Sequence, residues 1–143
     1  MPYKAGKIRL LALGLIKKDD RLFLSRGFDP IKDRTFYRAM GGGVDFGETS
    51  LDALKREFIE EINAEITNIK YLDCLENIFV FNGSPGHEII QLYQCDFVDR
   101  KFYEIDTISF KEGKREKTAL WVESDRFKSG ELSLVPEQFV KYI

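Results

Sequence analysis

Histidine, cysteine and tryptophan are scarce in this chain, which has one histidine, two cysteines and one tryptophan among its 143 residues. With no CxxC pair and no Cys/His spacing, neither a zinc finger nor a disulfide scaffold is available. Cys74 and Cys95 are therefore expected to be reduced thiols buried in strands. Long hydrophobic runs are missing as well, and nothing approaches the roughly 20 apolar residues of a membrane span. The short run Leu10 to Ile16 follows Lys4, Lys7 and Arg9 in the manner of a signal peptide. It ends in Lys17-Lys18-Asp19-Asp20 with no small-residue cleavage pattern, so a buried strand and a cytoplasmic address are the expectation. Charge of one sign is also lacking: 22 basic residues face 24 acidic ones, a net −2. No basic block stands out, which argues against polymeric nucleic acid as the partner.

Apolar residues make up 43% of the chain and charged residues 32%, ordinary usage for a globular protein of this size. One domain over residues 1–143 is expected, large enough for a sizeable core. The alternation of apolar residues predicts strands at Ile8 to Ile16 and Arg21 to Arg26, a loop over Gly27 to Thr35, and a short strand from Phe36 to Met40 that breaks at Gly41-Gly42-Gly43. Leu51, Leu54, Phe58 and Ile62 recur at spacings of three and four, which predicts an amphipathic helix over 50–62, capped by Thr49 with Asp52 in its first turn. Strands follow at 69–73, 75–81 and 88–97, with a turn over Asn82 to Gly86. Asp99 to Lys117 reads as a charged excursion, Thr118 to Glu123 as a strand, and Pro136 as the start of a short terminal helix. The order implies an α/β class with a mixed β-sheet and helices on its faces.

At about 100° per residue, Glu57, Glu60 and Glu61 fall within one arc beside the apolar stripe. Like charges so spaced repel by a few tenths of a kcal/mol per pair, so a cation is expected nearby. Arg56 is one candidate. A hard divalent cation is the other, since carboxylate oxygens are its preferred ligands and a glycine loop can add a carbonyl.

The spacing is Gly42, five residues, Glu48, seven residues, then Arg56-Glu57-Phe58-Ile59-Glu60-Glu61-Ile62-Asn63-Ala64. This resembles the Nudix box of the Nudix hydrolases. Asn63 departs from the family pattern, which has glycine there; it is expected to end the helix in the left-handed conformation. The resemblance implies a Nudix-like α/β/α sandwich and hydrolysis of a nucleoside diphosphate linked to another group, with Mg²⁺, or Mn²⁺ in its place. It further implies that Glu57, Glu61 and the Gly42 carbonyl hold the metal. Glu60 would be a further ligand or would take the water's proton, while Arg56 and Glu48 hold the carboxylates in place. The partner would be a small-molecule nucleotide, with no membrane; a homodimer stays open.

Outside the box, Glu88 reads as an exposed strand-end residue, with a second metal ligand or base as the alternative. His87 reads as a turn residue. Arg26 and Arg38 read as exposed arginines that could reach phosphates, and Trp121, Phe79 and Tyr93 as core rather than base-stacking residues. A nucleotide-binding or regulatory module without turnover is the rival function. Loss of any of the three helix glutamates would have favoured it, and all three are present.

Overall fold

The computed structural model describes residues 6–143; Lys4 of the basic N-terminal cluster lies outside them. Seven strands form one sheet: β1 (Ile8–Lys18), β2 (Arg21–Asp29), β3 (Arg34–Gly43), β4 (Ile66–Phe81), β5 (Ser84–Phe97), β6 (Thr107–Glu112) and β7 (Arg115–Glu123). Their order across the sheet is β4-β5-β1-β3-β2-β7-β6. The sheet is mixed because β1 runs parallel to β5 while the other neighbours are antiparallel. Helix α1 (Ser50–Ile62) packs with one core cluster that includes Ala12, Phe23, Met40 and Trp121. A short helix α2 (Asp125–Lys128) and a 3-10 turn over Glu137–Tyr142 supply Phe127 and Phe139 to a second cluster, with Leu13, Leu15 and Ile90. Two cores separated by a sheet make the expected α/β/α sandwich. Among the described residues, no helix is long and apolar enough to cross a membrane.

Helix α1 begins where its cap predicts, with the Thr49 side chain accepting the Asp52 N–H at 3.1 Å. It ends at Asn63, which is left-handed at φ 52° and ψ 44°, as expected. The apolar stripe differs in one member. Leu51 is 38% exposed, and Ala53 takes its place beside Leu54, Phe58 and Ile62 in the core.

Several segments read as irregular are strand. Gly27 to Thr35 is mostly the paired ends of β2 and β3, with only 30–33 between them. Gly41 to Gly43 belong to β3 and pair with Leu13, Ala12 and Leu11 of β1. The 99–117 excursion is a 3-10 turn followed by strand β6 and the start of β7. The hairpin joining β4 to β5 uses only Asn82 and Gly83, both at positive φ, so His87 is a strand residue rather than a turn residue. In each case a partner strand satisfies backbone groups that the local sequence would have left to solvent. Cys95 is buried as expected, but Cys74 is exposed on the outermost strand β4. Trp121 and Tyr93 are buried, the former donating its indole N–H to the Phe102 carbonyl at 2.9 Å, whereas Phe79 is only half-buried.

Candidate active site

Arg56 is the hub of the box. Its Nε donates to Glu48 Oε2 at 2.7 Å and its Nη2 to Glu48 Oε1 at 2.9 Å, a bidentate pair. Nη1 donates to Glu57 Oε1 at 2.9 Å and to Glu60 Oε2 at 3.1 Å, and Nη2 also reaches the Gly43 carbonyl at 2.9 Å. One guanidinium thus ties the first turn of the loop, the end of β3 and the middle of α1 together. The Arg56 hydrogen bonds, with help from the Asp45 N–H, hold the Glu48 carboxyl down at about 2. The same contacts push the Arg56 guanidinium up, so the pair is ionised at any working pH.

Glu57 lies against Gly42. A Cβ on Gly42 would meet the Glu57 carboxyl carbon at 2.5 Å, so only glycine lets this carboxylate rest on the β3 backbone. Burial pushes the Glu57 carboxyl up, opposed by Arg56 and assisted by the charge of Glu60. One helical turn on, Glu61 faces a cleft that is also lined by Gly42, Arg9, Arg38, Glu112 and Lys117. Its Oε1 is buried and has no hydrogen-bond partner among the described residues. Burial, then the charges of Glu57 and Glu112, push its carboxyl up to about 8, with Lys117 opposing. Glu60 is more than half exposed and turned toward Arg56. Of the three glutamates on the predicted arc, two are therefore sequestered and one is open. Among the described residues, no set of three or more His, Cys, Asp or Glu stands arranged around a common metal position.

The site's other wall was not legible as a unit. Arg38 donates through Nη2 to Glu88 Oε1 at 2.5 Å and through Nη1 to Oε2 at 3.3 Å, and Asn77 Nδ2 adds a contact at 3.3 Å. Glu88 is 1% exposed, so it is neither the exposed strand-end residue expected nor open on the cleft. Burying a carboxylate is costly unless it is paired, and Arg38 with Asn77 supplies the pairing. Arg38 is correspondingly only partly exposed. Arg9 stands beside Glu88 in the β1–β5 register, and the Nε atoms of both Arg9 and Arg38 are buried without an acceptor among the described residues. The row Arg9, Glu88 and Asn77 arises from strands 68 or more residues apart in the case of Arg9, and no local pattern announces it. Lys117, paired with Glu112 at 3.5 Å, completes this basic side of the cleft. Arg26 lies outside the cleft, lining a neighbouring cavity.

The donor set fits a hard divalent cation. A buried carboxylate oxygen with no donor, next to a second half-buried carboxylate seated on glycine backbone, is an anionic pair whose repulsion a divalent ion relieves.

A search of curated proteins found no match. Among solved structures, a MutT NUDIX hydrolase from Burkholderia pseudomallei superposes with a TM-score of 0.60 at 23% identity, over 83% of this chain and 85% of that one. The E. coli ORF135 protein gives 0.56 at 19%, over 94% and 85%. A structure from work on MutT of Aliivibrio salmonicida and Vibrio cholerae gives 0.58 at 19%, over 95% and 96%. At these identities the likeness is one of fold. The family model described as NUDIX domain matches residues 8–141, and the chain belongs to that family.

Proposed function

We propose that this protein is a pyrophosphohydrolase that works with Mg²⁺ or Mn²⁺ on a nucleoside diphosphate linked to another moiety, such as a further phosphate, a sugar or ADP-ribose. The observation that carries the proposal is the donor-less, buried Oε1 of Glu61 beside Glu57, facing Arg9, Arg38 and Lys117 across one cleft. Anionic ligands on one wall and cations on the other suit a divalent ion and the phosphates it would share.

In this proposal Glu57, Glu61 and the carbonyl of Gly42 hold the cation, with Glu60 as a further ligand or the acceptor of the water's proton. A bound divalent cation would lower the pKa of the attacking water and neutralise charge on the pyrophosphate. Arg56, anchored bidentately by Glu48, fixes the Glu57 carboxylate against β3. Arg38, oriented by Glu88, and Arg9 bring positive charge to the cleft where the phosphates would lie. A single catalytic domain is supported by one continuous sheet spanning residues 8–123.

The test is a hydrolysis assay of purified, chelator-treated protein against nucleoside triphosphates, nucleotide sugars, ADP-ribose and dinucleoside polyphosphates. Turnover should vanish on chelation and return with Mg²⁺ or Mn²⁺. Full activity without divalent ion would overturn the metal assignment, and binding of nucleotides with no turnover on any would mark a binding module instead.

A further inference from the structure

Beyond the cleft, a second cavity of about 260 Å³ opens where three hairpins meet. It is close to the lower end of small-molecule pockets, about 300 Å³, and so suits one ring system rather than a long chain. The β2–β3 turn, the β4–β5 tip and the β6–β7 turn contribute Phe36, Phe81 and Arg115. The β4–β5 tip is held there by two tethers: Asp29, 4% exposed, accepts the Asn82 N–H at 3.1 Å, and Lys32 Nζ donates to the Val80 carbonyl at 2.8 Å. Asp29 also accepts the N–H groups of Ile31 and Lys32, so the hairpins are joined by a buried carboxylate with no spare role.

The walls are aromatic and mainly cationic, with Arg26, Arg115 and Lys117 outnumbering the acidic Glu116. Phe36 and Phe81 meet edge to face with centroids 5.8 Å apart, and the Arg115 guanidinium stands 5.8 Å from the Phe81 centroid. Phe36 lies across Gly27, where a Cβ would come within 2.4 Å of the ring. Lys117 lines both this cavity and the cleft of Glu61. The register explains the continuity. Ser25 pairs with Arg38 and Ala119, and Gly27 pairs with Phe36, so by strand alternation Arg38, Phe36 and Lys117 project to the same side. The ring Phe36 and the cleft residue Arg38 are thus one two-residue step apart, about 7 Å along the strand.

Resting on the hydrolase reading, we propose that this cavity is the subsite for the substrate's nucleobase, which packs in the corner formed by the edge-to-face rings of Phe81 and Phe36, parallel to one and edge-on to the other, beside Arg115, while Lys117 spans the phosphates. A planar, electron-rich ring attached through a short sugar to an anionic chain matches an aromatic, cationic cavity adjoining a phosphate-binding cleft. A distal phosphate would use the cations but make no use of the aromatic surface of Phe36 and Phe81.

The test is binding, independent of turnover. Phe81→Trp puts a fluorescent ring in the wall, and the four common nucleoside diphosphates with Mg²⁺ should quench it, at least one strongly, whereas inorganic pyrophosphate with Mg²⁺ should not. Calorimetry of Phe81→Leu and Arg115→Gln, each checked for an intact melting transition, should show nucleoside diphosphate affinity down about tenfold or more. Affinity for inorganic pyrophosphate, which has no base, should hold. Equal losses for both ligands, or no loss in either variant, would overturn the subsite. Base-dependent quenching in a protein that hydrolyses no nucleotide would support the subsite while the hydrolase reading fails.

Discussion

The carboxylate of Glu57 occupies the space where any side chain on Gly42 would begin, with its Cδ 2.5 Å from the position of a Cβ. A helix residue and a strand residue fifteen positions apart are fitted so closely that each dictates the other. With Glu57 in its proposed role as metal ligand, Gly42→Ala should displace it and cut turnover by about 100-fold, the cost that a misplacement of about 1 Å can carry. Because the carboxylate is the free end of a flexible side chain and can swing aside, stability should change little. Steady-state kinetics and thermal melting would check both, and a near-normal rate would show that Glu57 need not sit there.

Arg56 should not tolerate lysine. The bidentate grip on Glu48, together with the contacts to Glu57, Glu60 and Gly43, uses the guanidinium fork, which an ammonium lacks. Arg56→Lys is expected to stay folded and lose about 10- to 100-fold in activity or metal affinity, as orienting partners of metal ligands commonly do. Metal titration beside circular dichroism measures this; unchanged metal affinity and rate would remove Arg56 from the site.

Glu61 makes the metal-free protein sensitive to pH. Its carboxyl rises from the ordinary 4.5 to about 8 on folding, chiefly through burial. The folded state therefore binds this proton more tightly than the unfolded chain, and the stability so gained is full below pH 4.5 and lost as pH rises through 8. Burial shifts Glu57 in the same direction. Glu61→Gln should flatten the decline in melting temperature between pH 4.5 and 8, and Mg²⁺ should reduce it in the wild type. Parallel curves for the two proteins would contradict this. The same variant should lose most of its turnover and metal affinity while remaining folded.

Two leucines on α1 should behave differently despite similar places in the sequence pattern. Leu54 is fully buried, so Leu54→Ala should cost about 2–5 kcal/mol. Leu51 is 38% exposed, and Leu51→Ala should stay within about 0.5 kcal/mol of the wild type. Denaturant midpoints decide it; equal losses would mean that Leu51 is covered in solution.

Asn63→Gly should be nearly silent. At φ 52° glycine relieves a small steric cost but adds freedom to the unfolded chain, and the two effects oppose each other. A large change in rate would show that the Asn63 side chain has a part in the chemistry.

The sequence alone determined the helix, its cap at Thr49, its left-handed end at Asn63 and the carboxylate arc, because each depends on residues within one or two turns of one another. The box spacing likewise singles out Arg56, Glu57 and Gly42, which the structure brings against one another. Local pattern also predicted most strands, though not their ends: Gly27 to Thr35 and Gly41 to Gly43 look irregular until β1, β2 and β3 pair and satisfy their backbone groups.

What only the tertiary structure decided is the cleft's other wall and the company each residue keeps. Glu88 looked exposed because nothing near it in sequence could pair its charge; Arg38, fifty positions away, does so. Leu51 fitted the helical stripe, but whether a face is covered depends on the width of what packs on it, and it is Ala53 that is fully buried. Phe36 and Phe81 meet where Asp29 tethers one hairpin to another, and Arg115 reaches Phe81 from a third. Such contacts join strands distant in the chain, and their energies depend on burial and register, which periodicity encodes only one element at a time.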